Sequence, residues 1–143
     1  MTTHSQTEKP GAFRQVLQTG THTLHADVAP ALGGEDSAPG PHDYFDAALA
    51  ACKALTATWY AKRNGLALER VETHVERDDS RERQGTYTLK VKLAFHGALS
   101  PADKQRLYNA VAQCPVHKLM TTSTVDIVTE PLEACAPGRA RER

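Results

Sequence analysis

The 143-residue chain lacks a long apolar run, an excess of either charge and an even number of cysteines. No apolar run approaches the roughly 18 to 20 residues that a membrane-spanning helix needs, and polar residues 1–10 lack the apolar stretch of a signal peptide. The 17 basic and 17 acidic side chains cancel, so no positive field attracts nucleic acid. We therefore expect a cytoplasmic protein that binds neither a membrane nor nucleic acid.

Cysteine is scarce, with three residues at positions 52, 114 and 135. An odd number in a reducing compartment argues against a framework of structural disulfides. Two interpretations remain, reactive thiols or inert buried thiols, and a typical buried cysteine is simply a small hydrophobic residue. Cys135 lies beyond the last predicted strand, between Pro131 and Pro137, and we expect it to be non-catalytic.

A zinc site is the weaker interpretation of the histidines and cysteines. Cys114 and His117 have a spacing found in zinc sites, but no C-x-x-C pair accompanies them in the sequence. We expect no metal and no other cofactor.

The length fits one domain, since a second core would leave each half too small to be stable. Residues 1–11 are polar and end in Pro10 and Gly11, which predicts a loose N-terminal arm. Residues 12–134 are predicted to form the single domain, and residues 135–143 a solvated C-terminal tail.

Alternation of apolar and polar side chains predicts five strands. The strongest signal is the run from Tyr87 to Phe95, and weaker signals cover residues 13–18, 21–26, 68–77 and 124–130. Thr19 and Gly20 suit the turn between the first two strands.

A long helix is predicted over residues 43–64. Asp43 suits its N-cap, and Gly65 stands where a helix-ending glycine belongs. Small and apolar residues occupy most sides of this helix, so we expect it to be central and buried.

A second helix is predicted to start at Ser100, Pro101 and Asp103, which together form a complete N-terminal signal. Pro115 then breaks or restarts the helix directly after Cys114. The predicted order is ββ-α-ββ-α-β, an α+β fold in which two main helices pack on antiparallel sheet.

The two helical cysteines are candidates for peroxide chemistry. Cleaving an O–O bond with sulfur needs a thiolate, a positive group that stabilises it, and a second thiol that resolves the sulfenic acid. Cys52 is in the middle of its helix and needs a basic partner from elsewhere. Lys53 is the next residue but points about 100° around the helix, so we expect its help to be weak and indirect.

Three segments resemble the OsmC/Ohr family. The stretch from Gly33 to Cys52, with Pro39-Gly40-Pro41-His42-Asp43 before the helix, resembles the family's loop and its helix bearing the peroxidatic cysteine. Residues 59–66 are similar to the end of that helix, and Cys114-Pro-Val-His-Lys resembles the second motif, which carries the resolving cysteine. The resemblance runs from about residue 13 to 130.

The resemblance implies a role for four residues. Cys52 would be the peroxidatic thiolate and Cys114 the resolving thiol. Arg14, the only arginine before Cys52, would hold the thiolate, and Asp43 would orient that arginine. A solvated strand position for Arg14 and a plain helix cap for Asp43 remain open, because the Ohr branch has a glutamate where this chain has His42.

The resemblance also implies partners. They are a second copy of the chain in an intertwined homodimer, organic hydroperoxides as substrates in oxidative-stress defence, and a dithiol reductant of the lipoyl type.

Two alternatives use the same residues differently. A redox-inert domain of this fold would bind a small apolar ligand in a pocket between its helices. A hydrolase would pair Cys52 with a histidine, although no histidine is placed by the sequence as that base.

Overall fold

The computed structural model describes residues 1–132; Cys135 and the rest of the predicted tail lie outside the described residues. The strands are β1 (Thr3–Thr7), β2 (Gln15–Thr19), β3 (His22–Ala26), β4 (Leu68–Asp78) and β5 (Thr88–Gly97). The helices are α1 (Pro41–Asn64), α2 (Pro101–Val111) and α3 (Pro115–Thr121), with short 3-10 turns at Pro30–Leu32 and Glu82–Gln84.

Strands β1, β2 and β3 form an antiparallel sheet in that order. β1 lies in the segment for which the sequence predicted a loose arm. Its five side chains are all exposed, so it has no apolar face to give a strand signal. Pairing comes from the partner strand instead, with Thr3 opposite Thr19 and a hydrogen bond of 3.1 Å between their hydroxyls.

Strands β4 and β5 form a second antiparallel sheet, a long hairpin in which Asp78 pairs with Thr88 and Leu68 with Gly97. Both strands were predicted. Gly97 has a φ of 143°, and a Cβ at this position would clash with the carbonyl oxygen of Ala67. The residue must therefore be glycine for the strands to approach so closely at this end.

Helix α1 begins two residues before the predicted start, because Gly40 is the N-cap and Pro41 the first helical residue. Asp43 lies one turn inside, where its Oδ2 accepts a hydrogen bond of 2.9 Å from the Gly40 N–H. At the other end Gly65 has a φ of 66° and donates its N–H to the Ala61 carbonyl, as the sequence predicted.

Helix α2 begins at the predicted cap, where Ser100 Oγ accepts the Asp103 N–H at 3.0 Å. Pro115 restarts the helix rather than ending it, so α3 is an additional element with Cys114 as its N-cap. This cap follows from the fixed φ of proline, which suits a first helical position.

The last predicted strand does not form among the described residues: residues 124–130 carry no strand pairing. Their apolar side chains are exposed, with Val125 at 62%, Ile127 at 82% and Val128 at 84%. Alternation predicts which faces a strand would bury, but a ladder also needs a neighbouring edge. The observed order is therefore βββ-α-ββ-α-α, within the predicted α+β class.

The core lies where α1 packs against β4, β5 and α2. Its buried side chains are Ala57, Ala61, Phe95, Leu107 and Val111. The small alanines on α1 allow α2 to approach closely, which brings the start of α3 toward the middle of α1. Among residues 1–132, no helix combines the length and apolar character needed to cross a bilayer.

Candidate active site

Cys52 lies in the middle of α1, on the side of the helix that faces α3. Its thiol is half-buried, with Thr56 Oγ1 4.0 Å from Sγ one turn further along the helix. The backbone N–H of Val116 and the thiol of Cys114 lie next to the Cys52 sulfur, and their hydrogen-bonding effect lowers its pKa. Three polar groups therefore surround one sulfur atom.

Cys114 is fully buried and is the residue between α2 and α3. Its N–H donates to the Val111 carbonyl at 3.2 Å, and its own carbonyl accepts the Lys118 N–H at 3.2 Å. Although 62 positions separate them in the numbering, the two cysteines meet here as free thiols.

The surroundings shift the pKa values of the two thiols in opposite directions. Burial raises the pKa of the Cys52 thiol, but hydrogen bonds from Cys114, Val116 and Thr56 and the charge of Lys53 together lower it below the ordinary value. Burial is the larger cause that raises the pKa of Cys114, and the hydrogen bond from its S–H to Cys52 is the second. Cys52 is therefore the better thiolate, and Cys114 is the thiol that keeps its proton.

A mostly apolar groove of about 810 Å³ opens beside Cys52. Its walls come from α1, the end of α2 and the start of α3; they include Ala48, Leu55, Trp59, Tyr60, Pro115 and Val116. Leu55 and Trp59 are 68% and 60% exposed, which is unusual for large apolar side chains on a central helix. The groove therefore gives an apolar molecule access to the Cys52 sulfur.

Lys53, for which the sequence predicted only weak and indirect help, is buried, with 5% of its surface exposed. Its Nζ donates to the Val111 carbonyl at 2.9 Å and contacts His117 Nδ1 at 3.0 Å. An ammonium group only donates hydrogen bonds, so His117 Nδ1 is the acceptor in this contact. Only the placement of Lys53 on the otherwise apolar face of α1 hinted at this contact.

Arg14 lies just before β2 and contacts groups of its own N-terminal region. Its Nε is 2.8 Å from Glu8 Oε1, and its Nη1 donates to the hydroxyl and carbonyl of Ser37 at 2.8 and 3.1 Å. Asp27 accepts the Ser37 hydroxyl at 2.6 Å and two N–H groups of the same loop. Arg14 is thus held on the loop that connects β3 to α1.

Asp43 is bonded by a different arginine. Arg77 of β4 donates to Asp43 Oδ1 and to Asp46 Oδ2, both at 2.7 Å. The Tyr87 hydroxyl donates to the second oxygen of Asp46 at 2.8 Å. The cluster of Asp43, Asp46, Arg77 and Tyr87 joins the start of α1 to the β4–β5 hairpin.

This cluster lies away from the thiols on α1. Nine residues separate Asp43 from Cys52, which places their side chains about half a turn apart around the helix. Backbone donation from Gly40 and the bond from Arg77 hold the pKa of Asp43 below its ordinary value. The sequence could not have indicated Arg77, because the contact depends on the pairing of a helix with a distant strand.

In the part of the chain that the structure describes, no three His, Cys, Asp or Glu side chains converge as metal ligands do. Cys114 faces Cys52, and His117 faces Lys53. The spacing of Cys114 and His117 thus serves two separate contacts.

The fold and site define a class: an α+β protein with two hydrogen-bonded thiols at the junction of its helices. The OsmC-like protein model matches residues 34–130, and the chain belongs to this family. No curated protein matches the sequence.

Solved structures agree on the fold. The organic hydroperoxide resistance protein OsmC of Legionella pneumophila is 22% identical, with a TM-score of 0.58 over 85% of this chain and 90% of that one. OhrB of Bacillus subtilis, named an organic hydroperoxide resistance protein, is 22% identical over 85% of this chain and 90% of that one, with a TM-score of 0.56. An OsmC-like protein of Mycoplasma pneumoniae is 16% identical over 85% and 86% of the two chains, with a TM-score of 0.69.

Proposed function

We propose that this protein is a thiol peroxidase that reduces organic hydroperoxides, with Cys52 as the peroxidatic and Cys114 as the resolving cysteine. The observation that carries the proposal is a pair of neighbouring free thiols, of which Cys52 has a lowered pKa and Cys114 a raised one. The apolar groove beside Cys52 suits the alkyl part of the substrate. Relatives of similar fold are named organic hydroperoxide resistance proteins.

In the first step the Cys52 thiolate attacks the terminal oxygen of ROOH. An S–O bond forms, the O–O bond breaks, and the alkoxide RO⁻ leaves and takes a proton to become ROH. The sulfur is oxidised to sulfenic acid while the peroxide is reduced.

In the second step Cys114 attacks the Cys52 sulfur. The S–S bond forms, the S–O bond breaks, and hydroxide leaves with the Cys114 proton as water. A dithiol reductant, for which we propose the lipoyl type, then reopens the disulfide by two thiol exchanges. Both redox steps use sulfur alone.

In the proposed site, the guanidinium of Arg14 supplies the positive charge that stabilises the Cys52 thiolate. Within its own chain Arg14 is bonded to Glu8 and Ser37, so we propose that it serves the Cys52 of a second copy in an intertwined homodimer. Asp43 is bonded to Arg77. Through this contact it would hold the start of α1, the helix that bears Cys52. Arg14→Ala should raise the pKa of Cys52 and slow the first step; unchanged peroxide reactivity would remove Arg14 from the site.

We propose a cytoplasmic location and a role in oxidative-stress defence. A compartment that keeps thiols reduced suits an enzyme whose resting form is a free dithiol.

The test is a single turnover of the reduced protein with one equivalent of cumene hydroperoxide. We expect two thiols to be lost and the Cys52–Cys114 disulfide to form. Mass spectrometry of the digested protein measures both changes. Cys52→Ser is the control, in which peroxide consumption should stop. If Cys52 and Cys114 are both still free thiols after several minutes, the peroxidase is excluded.

A second candidate function is a redox-inert domain that binds a small apolar molecule. The observation that favours it is the groove itself, which is lined mainly by apolar side chains. The same experiment separates the two, because an inert domain would bind the hydroperoxide and leave both thiols reduced.

A further inference from the structure

We propose that Lys53 is a positioning residue that holds the turn bearing Cys114 against Cys52. The inference rests on the proposed function and adds a residue that neither the motifs nor the comparisons assign.

The contacts of Lys53 lie on both sides of Cys114. Its ammonium group bonds the Val111 carbonyl, three residues before Cys114, and His117 Nδ1, three residues after it. The Val111 carbonyl also accepts the Cys114 N–H. One cation therefore ties the last turn of α2 to the first turn of α3, directly at the resolving thiol.

The position of Lys53 in the sequence makes this link relevant to the chemistry. Cys52 and Lys53 are adjacent on α1, and both reach the start of α3, where Val116 bonds the Cys52 sulfur and His117 contacts the ammonium. Since both side chains start from the same turn of α1, fixing the Lys53 contacts also fixes the relation of the two sulfurs.

The side chain of Lys53 is buried, which is unusual for a lysine. No carboxylate among residues 1–132 forms an ion pair with its ammonium, and burying a charge is costly. A core position next to Val111 would ordinarily be filled by an apolar side chain. Lysine is accommodated here by a carbonyl at a helix C-terminus, where positive charge is favourable, and by His117.

The consequence concerns the resolving step. Attack of Cys114 on the Cys52 sulfenic acid is intramolecular, and its rate depends on how well the second sulfur is held near the first. Without Lys53, the turn at Ala112–Cys114 keeps its backbone bonds but loses its link to α1. The first step uses Cys52 and the peroxide. Lys53 affects it only through its charge, the last of the contributions that lower the pKa of Cys52, so its loss should slow this step less than the resolving step.

The experiment follows the two steps separately in Lys53→Met, with Lys62→Met as the matched control on the exposed side of the same helix. Methionine has a similar length and suits a buried position, and the Val111 carbonyl keeps its bond from Cys114, so we expect the variant to fold. The reduced protein is mixed with cumene hydroperoxide, and samples taken over time are trapped with dimedone.

We expect peroxide consumption by Lys53→Met to stay within about threefold of the unaltered protein, while the sulfenic acid persists and disulfide forms about tenfold more slowly or worse. Lys53→Arg should recover part of the rate, because its guanidinium can still donate to the Val111 carbonyl. Disulfide formation at the unaltered rate, or an equal slowing of both steps, would overturn the inference.

A measurement without peroxide separates this inference from the proposed function. In glutathione redox buffers, the equilibrium between dithiol and disulfide gives the effective concentration of Cys114 at Cys52. Lys53→Met should lower it about tenfold and Lys62→Met should not. If Lys53→Met does not fold, His117→Ala, which removes one of the two contacts, replaces it and should lower the value in the same direction. If the unaltered protein does not react with peroxide, only the proposed peroxidase function is refuted. If Lys53→Met leaves the effective concentration unchanged, only the positioning role of Lys53 is refuted.

Discussion

Cys52 and Cys114 are chemically the same residue, and their neighbours make them different. The Cys52 sulfur accepts hydrogen bonds, whereas the Cys114 thiol donates one, keeps its proton and is fully buried. Accepting a hydrogen bond stabilises a thiolate, whereas burial destabilises one. At Cys114 the effect of burial outweighs that of the N–H groups of Val116 and His117. The division into an attacking and a resolving sulfur that we propose would thus follow from the different surroundings of the two thiols.

The first prediction concerns pH. Alkylation of Cys52 requires its thiolate, so its rate falls as the pH drops through the lowered pKa of this thiol. Cys114→Ala removes a donor and should raise the pKa of Cys52, which moves the rate profile to higher pH. Cys114→Ser keeps an O–H donor and should move it less. Bromobimane labelling across pH 5 to 10, in a Cys135→Ser background, checks this; identical profiles for the alanine and serine variants would contradict it.

The second prediction concerns turnover. Cys52→Ser should abolish hydroperoxide reduction, by at least about a hundredfold, because no other described thiol has a lowered pKa. Cys114→Ser should complete one turnover and leave a sulfenic acid that dimedone traps. Cys135→Ser should retain full turnover, and a loss of activity there would show that the third cysteine belongs to the cycle.

At the scale of elements, the loop between β3 and α1 depends on Asp27. This buried carboxylate accepts hydrogen bonds from the Ser37 hydroxyl and from the N–H groups of Val28, Glu35 and Ser37. The Ser37 hydroxyl bond, with the backbone bonds, lowers the pKa of Asp27 from 3.8 to about 2. Asp27 therefore organises the segment that also holds Arg14.

The third prediction follows from linkage. A lowered pKa in the folded state means that the stabilisation is complete above the ordinary pKa of 3.8 and is lost as the pH falls toward about 2. Asp27→Asn should be less stable than the unaltered protein at pH 7, and the difference should shrink between pH 4 and pH 2. Urea unfolding followed by circular dichroism measures it. Asp36→Asn, an exposed position of the same loop, is the control; a difference that is constant with pH would contradict the assignment.

Local signals in the sequence predicted the elements that depend on local chemistry. Ser100 and Gly65 mark helix ends because they form hydrogen bonds to groups only a few residues away. The alternating side chains of β5 predict its strand. The predictions for β1 and for residues 124–130 were wrong, because pairing depends on which strand edge is available. This availability is a property of the whole fold. In the same way, motifs predicted the two cysteines and Asp43 as site residues, whereas the contacts of Lys53 and Arg77 depend on elements far away in sequence.

At the scale of the whole molecule, the chain leaves large apolar side chains uncovered. Leu55 and Trp59 on α1 and Val125, Ile127 and Val128 in the last described segment are all more than half exposed. Exposed apolar patches of this kind mark interaction surfaces. The proposed homodimer would cover α1 and could give residues 124–130 a strand to pair with.

The fourth prediction is that the protein sediments as a dimer and that Trp59→Glu weakens the dimer at least about tenfold. The substitution removes the apolar area of the indole, and a carboxylate is costly to desolvate even beside Arg63. Asn109→Glu adds the same charge at an exposed position of α2 and should leave the dimer intact. Sedimentation equilibrium measures both. A monomer for the unaltered protein, or equal effects of the two substitutions, would contradict the assignment of this surface.

The groove beside Cys52 contains the single tryptophan of the chain. Trp59 is two turns along α1 from the reactive sulfur, with the Arg63 guanidinium 5.1 Å from the centre of its ring. The molecule therefore carries its own optical probe, since no other indole contributes to emission excited at 295 nm. Intensity and wavelength of that emission should respond when the sulfur changes oxidation state, so each turnover can be watched in unlabelled protein.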